Sequence, residues 1–221
     1  MESHIVKILN TEYVTHDVKR FRVEKPEGYA FTPGQATEAT IKGMEEKLGK
    51  GPFTFTSLTE QPELEFTIKI YDEGELTKEL GKLSIGDELV IHDVWGSITY
   101  QGPGVFIAGG AGVTPFIAIL RRLNKDGKIN NHKLIFSNKT EQDIILKDEF
   151  VDMLGKNFVN VITQEKSDKY HNKRIDEKLI KEVVQNFNQY FYICGPEKFV
   201  SDIQRILKNL GADDNKVIIE K

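Results

Sequence analysis

The chain has a single cysteine, Cys194, which excludes an internal disulfide, an all-cysteine iron–sulfur cluster and any multi-cysteine zinc site. If this protein moves electrons, something else must carry them. Basic residues are nowhere dense: 30 Lys and Arg stand against 34 Asp and Glu, a formal charge of −4, without the concentrated positive patch that nucleic-acid binding needs. The five histidines are scattered, with no metal-ligand spacing, so no metal site is expected. The N-terminus, MESHIVKILN, lacks a basic region followed by a long apolar core; no signal peptide is expected, and the address read is cytoplasmic. Internal repeats, low-complexity tracts and a separate linker are also missing.

Charge is absent from Ile98 to Leu120, which raises the alternative of a transmembrane helix. Five glycines and two prolines in that span argue against it, because a continuous helix would discard their turn chemistry. The stretch Gly104–Leu120, GVFIAGGAGVTPFIAIL, reads instead as strand, glycine turn and helix. Val105 to Ala108 suits a strand buried on both faces, and Gly109, Gly110 and Gly112 make the turn. Thr114 is then expected to cap a helix, with Pro115 at its first position and an apolar face running from Phe116 to Leu123. Such a turn aims unpaired amides and the positive end of the helix dipole at whatever lies above it, and phosphate is the natural guest. A plain tight turn is the alternative.

The 221 residues suffice for two domains of ordinary size. Residues 1–100 are β-rich, with candidate strands His4–Leu9, Val18–Glu24, Ala36–Ile41, Phe53–Ser57, Leu64–Tyr71 and Glu88–His92 between proline and glycine turns. Six such strands suggest a small antiparallel barrel. One helix interrupts them, Gly74 to Leu83, with Leu76, Leu80 and Leu83 at helical spacing. It is either a second phosphate-binding helix end or a cap over the barrel mouth.

Residues 101–221 alternate strand and helix. After the opening unit come strand Lys133–Phe136, helix Ile144–Leu154, strand Phe158–Ile162, helix Asp176–Asn186, strand Tyr190–Cys194, helix Glu197–Leu210 and strand Lys216–Glu220. That predicts a five-stranded parallel doubly wound domain whose first and fourth strands lie side by side at the switch point. Those strands end at Gly109 and Cys194, each followed by glycine and a helix-starting proline, GGAGVTP and CGPEK. The domain boundary is expected between Trp95 and Gly104.

These motifs, in this order, resemble the ferredoxin–NADP reductase superfamily, and within it the bacterial stand-alone flavodoxin and ferredoxin reductases. The resemblance covers essentially the whole chain. It implies an N-terminal Greek-key flavin barrel, a C-terminal nicotinamide-nucleotide domain and NAD(P)H-dependent flavin oxidoreductase activity. The family flavin motif, Arg-x-Tyr-Ser/Thr-x-x-Ser, corresponds to GPFTFTS at Gly51–Ser57, preceded by FTPGQ at Phe31–Gln35. By resemblance Pro52, Phe53, Thr54, Phe55 and Ser57 border the flavin, with Phe53 against the isoalloxazine and Thr54 near its N5. Lys69, Ile70 and Tyr71 flank the flavin tail, and Gly74, Leu76 and Thr77 hold its phosphate. Gly110, Gly112, Thr114, Cys194, Gly195 and Pro196 match the nucleotide motifs, with Thr114 and Cys194 near the nicotinamide. Thr54 and Cys194 are the implied catalytic pair. Read without the family, Phe53 is equally an ordinary core aromatic and Cys194 a small buried residue ending a strand.

The chain departs from the family pattern in several places. Gly51 stands where the family has a phosphate-pairing arginine, with Lys50 beside it as a substitute. Phe53 replaces tyrosine, and the sequence closes on VIIEK where plant-type members carry an aromatic over the flavin. The resemblance implies FAD, and these departures make FMN or loosely held FAD the alternatives. The second strand of the nucleotide domain runs into Ser137, Asn138 and Lys139 without the acid that would repel a 2′-phosphate, a slight lean to NADPH. In TQEKSDKY, Thr163–Tyr170, the residues Lys166, Lys169 and Tyr170 are either a substitute for the family serine–arginine pair or a solvated loop. The implied partner is flavodoxin or ferredoxin, docking through Lys19, Arg20, Arg22, Lys42 and Lys50. Competing functions are reduction of a small acceptor (ferric chelate, quinone or free flavin) and a non-catalytic nucleotide-binding subunit. The sequence does not specify an oligomeric state.

Overall fold

A computed structural model describes residues 3–96, 98–166 and 168–220. Ser97, in the expected domain boundary, and Ser167, in the Thr163–Tyr170 loop, fall outside these. Two compact units result: residues up to Thr99 with Thr114–Ile119, and Tyr100–Val113 with Leu120 onward.

The first unit carries β1 (Ser3–Tyr13), β2 (Val18–Glu24), β3 (Ala36–Ile41), α1 (Glu45–Leu48), β4 (Gly51–Thr54), β5 (Glu63–Lys69), α2 (Glu75–Lys82) and β6 (Glu88–Trp95). Its six strands form an antiparallel sheet in the order β4-β3-β6-β1-β2-β5. Long β1 turns the corner: Ser3–Lys7 pairs with β6, Ile8–Tyr13 pairs with β2, and a bulge between Ile8 and Asn10 bends the strand. The two ends of the order meet beyond β4, where Phe55 bridges Phe66 and Thr56 N–H donates to Glu65 O at 2.8 Å. The barrel is thus nearly closed around Ile8, Phe21, Phe55, Leu64, Phe66 and Ile91, all at most 1% exposed. Closure follows from period-two alternation, as on β2, where buried Phe21 and Val23 alternate with exposed Arg22 and Glu24.

The second unit carries β7 (Gly104–Gly109), the later residues of α3 (Thr114–Lys125, of which Thr114–Ile119 fall in the first unit), β8 (Lys133–Asn138), α4 (Lys147–Leu154), β9 (Phe158–Ile162), α5 (Glu177–Val183), β10 (Tyr190–Cys194), α6 (Glu197–Asn209) and β11 (Val217–Ile219). The sheet is parallel, in the order β11-β10-β7-β8-β9. The first and fourth strands, β7 and β10, are neighbours, as the alternation predicts. One face packs Val105, Ile107, Ile135, Val161, Phe191 and Ile193 against α5 and α6. On the other, Phe136 meets Phe150 of α4 edge-on at 6.4 Å. Both faces being covered explains the unbroken burial of β7.

Two local expectations are corrected, and one short helix was not anticipated. Thr114 does not cap α3. A 3₁₀ turn over Gly110–Val113 runs straight into the helix, Val113 is the cap residue with helical φ/ψ (−73°, −19°), and no side chain caps this end. Thr114 is therefore the first helical residue and Pro115 the second. The fourth helix starts at Lys147, because Leu146 takes a left-handed conformation (φ +50°) and leaves Ile144 and Ile145 buried ahead of it. The short α1 has no buried residue, hence no apolar periodicity for the sequence to show.

Candidate functional site

In the barrel, β4 pairs with β3 so that Ala36 faces Thr54 and Thr37 faces Phe53. Phe53 and Leu76 are half-buried against the rim of the barrel core. A Cβ built on Gly51 would lie 3.1 Å from Leu76 Cδ2 and 3.4 Å from the Phe53 ring, so these three residues, from β4 and α2, come together. The Thr54 hydroxyl has no partner among the described residues, unlike its neighbours. Thr56 Oγ1 donates to Glu65 Oε1 at 2.9 Å, and Ser57 Oγ accepts from Glu65 N–H at 3.0 Å. The Phe55 side chain is wholly buried, stacked on Phe31 at 4.3 Å. Within GPFTFTS, then, Phe53 and Thr54 are partly exposed, Pro52 is exposed, and Phe55 and Ser57 are buried.

Lys69 Nζ pairs with Asp17 Oδ2 at 2.6 Å, and the Ile70 N–H donates to Asp17 O. The loop after β5, with Tyr71 half-exposed, is drawn into α2 by Thr77, whose Oγ1 accepts from Tyr71 N–H at 3.2 Å and donates to Gly74 O at 3.4 Å. Gly74 is the cap residue of α2 and offers no capping side chain, so that end keeps unsatisfied amides suited to an anion.

In the second unit, the turn after β7 and the turn after β10 press together. Cys194 pairs with Ala108 in the sheet. A Cβ on Gly112 would lie 2.4 Å from the Cys194 carbonyl oxygen, 2.5 Å from its carbon and 2.6 Å from Gly195 N, all backbone atoms. Gly110 takes φ +54° with open space beside it. Pro196 is the cap residue of α6, which like α3 has no side-chain cap. Gly110, Gly112, Cys194 and Gly195 thus sit together where two uncapped helices begin, with Thr114 and Pro196 as the flanking residues.

Residues 5–100 match the oxidoreductase FAD-binding domain, and residues 106–205 match the oxidoreductase NAD-binding domain. Together the two matches span most of the chain, which belongs to the oxidoreductases that join an FAD-binding domain to an NAD-binding domain. Among curated relatives, the reductase component of propane 2-monooxygenase from Rhodococcus jostii is 31% identical over 66% of this chain and 41% of its own length. NADH-cytochrome b5 reductase 2 from Coccidioides immitis is 31% identical over 65% of this chain and 47% of its own. This chain spans about half the length of the curated relatives it matches. A ferredoxin NADP+ reductase from Neisseria gonorrhoeae, solved with bound FAD and NADP, shares the fold at TM-score 0.87 and 19% identity, covering 99% of this chain and 98% of that one.

For a member of this oxidoreductase family, the expected cationic docking face is revised. Lys19 is 6% exposed and turned inward: its Nζ donates to Gly81 O at 3.0 Å and Leu83 O at 2.6 Å, holding the C-terminal end of α2, and burial pushes its pKa down. Arg20 pairs with Glu12, Arg22 with Glu65 and Lys42 with Glu88. Lys50, expected beside the flavin phosphate, pairs with Glu38. Strand register sets two of these pairs directly, Arg20 opposite Glu12 and Arg22 opposite Glu65.

Burial, and secondarily the Glu220 carboxylate, push the Cys194 thiol up to about 12. Its Sγ lies 3.9 Å from Glu220 Oε2. A neutral thiol fills space beside a reacting ring without imposing charge. Iodoacetamide should therefore leave native Cys194 unmodified at pH 8, where a thiolate of ordinary pKa reacts; rapid labelling without unfolding would refute the buried neutral thiol. The folded pKa lies above the ordinary value of 9.0, so the associated stability is intact below pH 9 and is lost as pH rises from there towards 12.

Sequence reasoning named Lys169 and Tyr170 but missed the acid that gathers them and the third member, Lys147. Glu141, on a 3₁₀ turn after β8, accepts from Lys147, Lys169 and Tyr170. The signal that finds it is the capping box Thr140–Asp143, which announces a turn one residue before Glu141.

Proposed function

We propose that this chain is a flavoprotein reductase that takes a hydride from a reduced nicotinamide dinucleotide onto FAD and passes the electrons to a carrier protein of the flavodoxin or ferredoxin kind. The single observation that carries the reading is the backbone contact of Gly112 with Cys194–Gly195 between two uncapped helix starts, a cradle that a side chain would fill and that a pyrophosphate suits. The barrel fits a flavin by the same test: Thr54 keeps an unpartnered hydroxyl beside the half-buried ring of Phe53, and α2 begins without a capping side chain. FAD is the proposed cofactor, with FMN as the alternative because Gly51 offers no arginine to a second phosphate.

Bound flavin supplies two-electron uptake and one-electron release. The chain's own residues position and insulate. Phe53 presents a flat apolar face, Thr54 a hydroxyl that donates or accepts, and Gly110 and Gly112 admit backbone close to the nucleotide. Cys194 packs as a neutral thiol. No side chain is required to act as a strong acid or base. Residues 1–100 serve as the flavin domain and 101–221 as the nucleotide domain, with Lys69, Ile70 and Tyr71 along the flavin tail, and Gly74, Leu76 and Thr77 at its phosphate.

Anaerobic absorbance spectra before and after one equivalent of NADH or NADPH test the reading. A bound-flavin spectrum that bleaches on mixing supports it; protein that retains neither FAD nor FMN overturns it, and flavin that binds without turnover points to a non-catalytic subunit. The acceptor has two readings. The relatives named as reductase components support a protein carrier. The engagement of Lys19, Arg20, Arg22, Lys42 and Lys50 by protein groups favours a small acceptor such as a quinone, ferric chelate or free flavin. Carrier reduction through a charged face should slow steeply between about 0.05 and about 0.5 M salt, whereas reduction of a neutral quinone should hardly respond.

A further inference from the structure

The NADPH lean rests on the lack of an acid at the end of β8, yet the structure brings one in three residues later. Thr140 N–H and Oγ1 each donate to Asp143 Oδ2 at 2.8 Å, which fixes the turn carrying Glu141. Glu141 Oε1 then accepts from Lys147 Nζ at 2.5 Å, Tyr170 OH at 2.8 Å and Lys169 Nζ at 3.3 Å. Both ammonium groups also lie within 6 Å of the Tyr170 ring centroid, at 5.7 and 5.2 Å. Two cations and a phenol converging on one oxygen are the donor set of a phosphate site, and here a carboxylate of the chain already occupies it. Glu165 adds a second acid, its Oε2 accepting from Glu141 N–H at 2.9 Å.

The cluster is placed where the choice of dinucleotide is made. Parallel β7, β8, β9 and β10 deliver the segments that follow them to one end of the sheet. Gln164 N–H donates to Lys139 O at 2.9 Å and Thr163 N–H to Asn138 O at 3.0 Å, tying the segments after β8 and β9 together beside the β7 and β10 turns. With the pyrophosphate at those turns, the adenosine ribose extends towards the end of the next strand, where an acid takes the 2′-hydroxyl and a cation takes a 2′-phosphate.

We propose that Glu141 is a specificity-determining residue that closes the Lys147–Lys169–Tyr170 cradle to a 2′-phosphate and makes NADH the donor. This rests on the nucleotide-binding reading above. Lys147 and Lys169 are both engaged by Glu141, and Glu165 adds a second negative charge at the Glu141 backbone, so a 2′-phosphate must displace a bound carboxylate to reach them. Hydrogen bonds from Lys147 and then Tyr170 hold the Glu141 carboxyl down at about 2, so it is ionised at neutral pH.

Calorimetric titration of the full chain with 5′-ADP and with 2′,5′-ADP isolates this end of the nucleotide from flavin chemistry. The wild type should bind 5′-ADP more tightly. Glu141→Gln should shift the ratio of the two dissociation constants about tenfold towards 2′,5′-ADP, the scale of one charge removed near a surface, and Glu141→Gln with Glu165→Gln should shift it further. Adding Lys147→Met to Glu141→Gln should cancel the gain. Tighter binding of 2′,5′-ADP by the wild type, a measurement independent of any variant's folding, overturns the assignment while leaving the nucleotide site intact, as does an unchanged ratio in Glu141→Gln. A wild type that binds neither ligand overturns the nucleotide-binding reading itself and this assignment with it.

Discussion

Gly112→Ala should lower the rate of flavin reduction by low concentrations of reduced nicotinamide about a hundredfold, the effect of moving a binding element by about an ångström. The methyl group would enter the Cys194–Gly195 peptide, at 2.4 Å from the carbonyl oxygen and 2.6 Å from the next nitrogen. Neither atom is the end of a flexible side chain. Both belong to the end of β10, held in register with β7 through Cys194 and Ala108, so the strain must be relieved by separating the two turns. Each turn leads into an uncapped helix, and their amides serve one anion only while they converge. Gly127→Ala, in the turn after α3, is the control. It has open space and φ +68°, so it bears only the left-handed backbone penalty of about 1–2 kcal/mol, with no clash. Stopped-flow bleaching of the bound flavin, with dissociation constants from the concentration dependence, compares the two. Flavin content should match wild type in both, because the barrel is untouched. A Gly112→Ala protein within about threefold of wild type would show that the contact of the two turns is not what binds the nucleotide.

The strand framework was legible because alternation and turn residues coincide: β2, β3, β9 and β10 begin and end where the apolar pattern does. The switch point was legible too, since GGAGVTP and CGPEK mark the ends of the first and fourth strands, and those strands pair. That Gly112 rests on the Cys194 carbonyl was not, because it depends on the sheet register and on the 3₁₀ turn that replaced the expected Thr114 cap. Apolar Ile144 and Ile145 extended the fourth helix too early on paper, since burial outside a helix looks the same as burial within one. Charges misled most. Lys19 follows Val18 in a β2 pattern that breaks alternation, and its Nζ lies 5.4 and 5.3 Å from the Tyr13 and Phe21 ring centroids while it caps the end of α2. Glu141 gathers Lys147, Lys169 and Tyr170 from as far as 29 residues away, a relation that no local window contains.

Phe55→Ala and Phe53→Ala should separate stability from cofactor binding although only Thr54 lies between them. Phe55 is wholly buried and contacts three aromatic rings: stacked on Phe31 at 4.3 Å, tilted on Phe66 at 5.3 Å and edge-on to Tyr29 at 5.9 Å. Its N–H donates to Gln35 O at 3.0 Å and its backbone bridges Phe66, where the barrel closes. Truncation leaves a cavity that this closed ring of strands cannot collapse, at a cost of about 3–5 kcal/mol. For a unit of this size the melting midpoint should fall by at least about 10 °C. Phe53 is only half-buried on the rim, beside Gly51 and Leu76. Its loss should cost about 1 kcal/mol or less in the flavin-free protein, yet weaken flavin about tenfold through the lost ring contact. Thermal melts of flavin-free protein and titration with FAD followed by absorbance give the two quantities separately. The assignment of Phe53 to the cofactor fails if both variants lose stability and flavin in the same proportion, since binding would then only report how much of the barrel is folded.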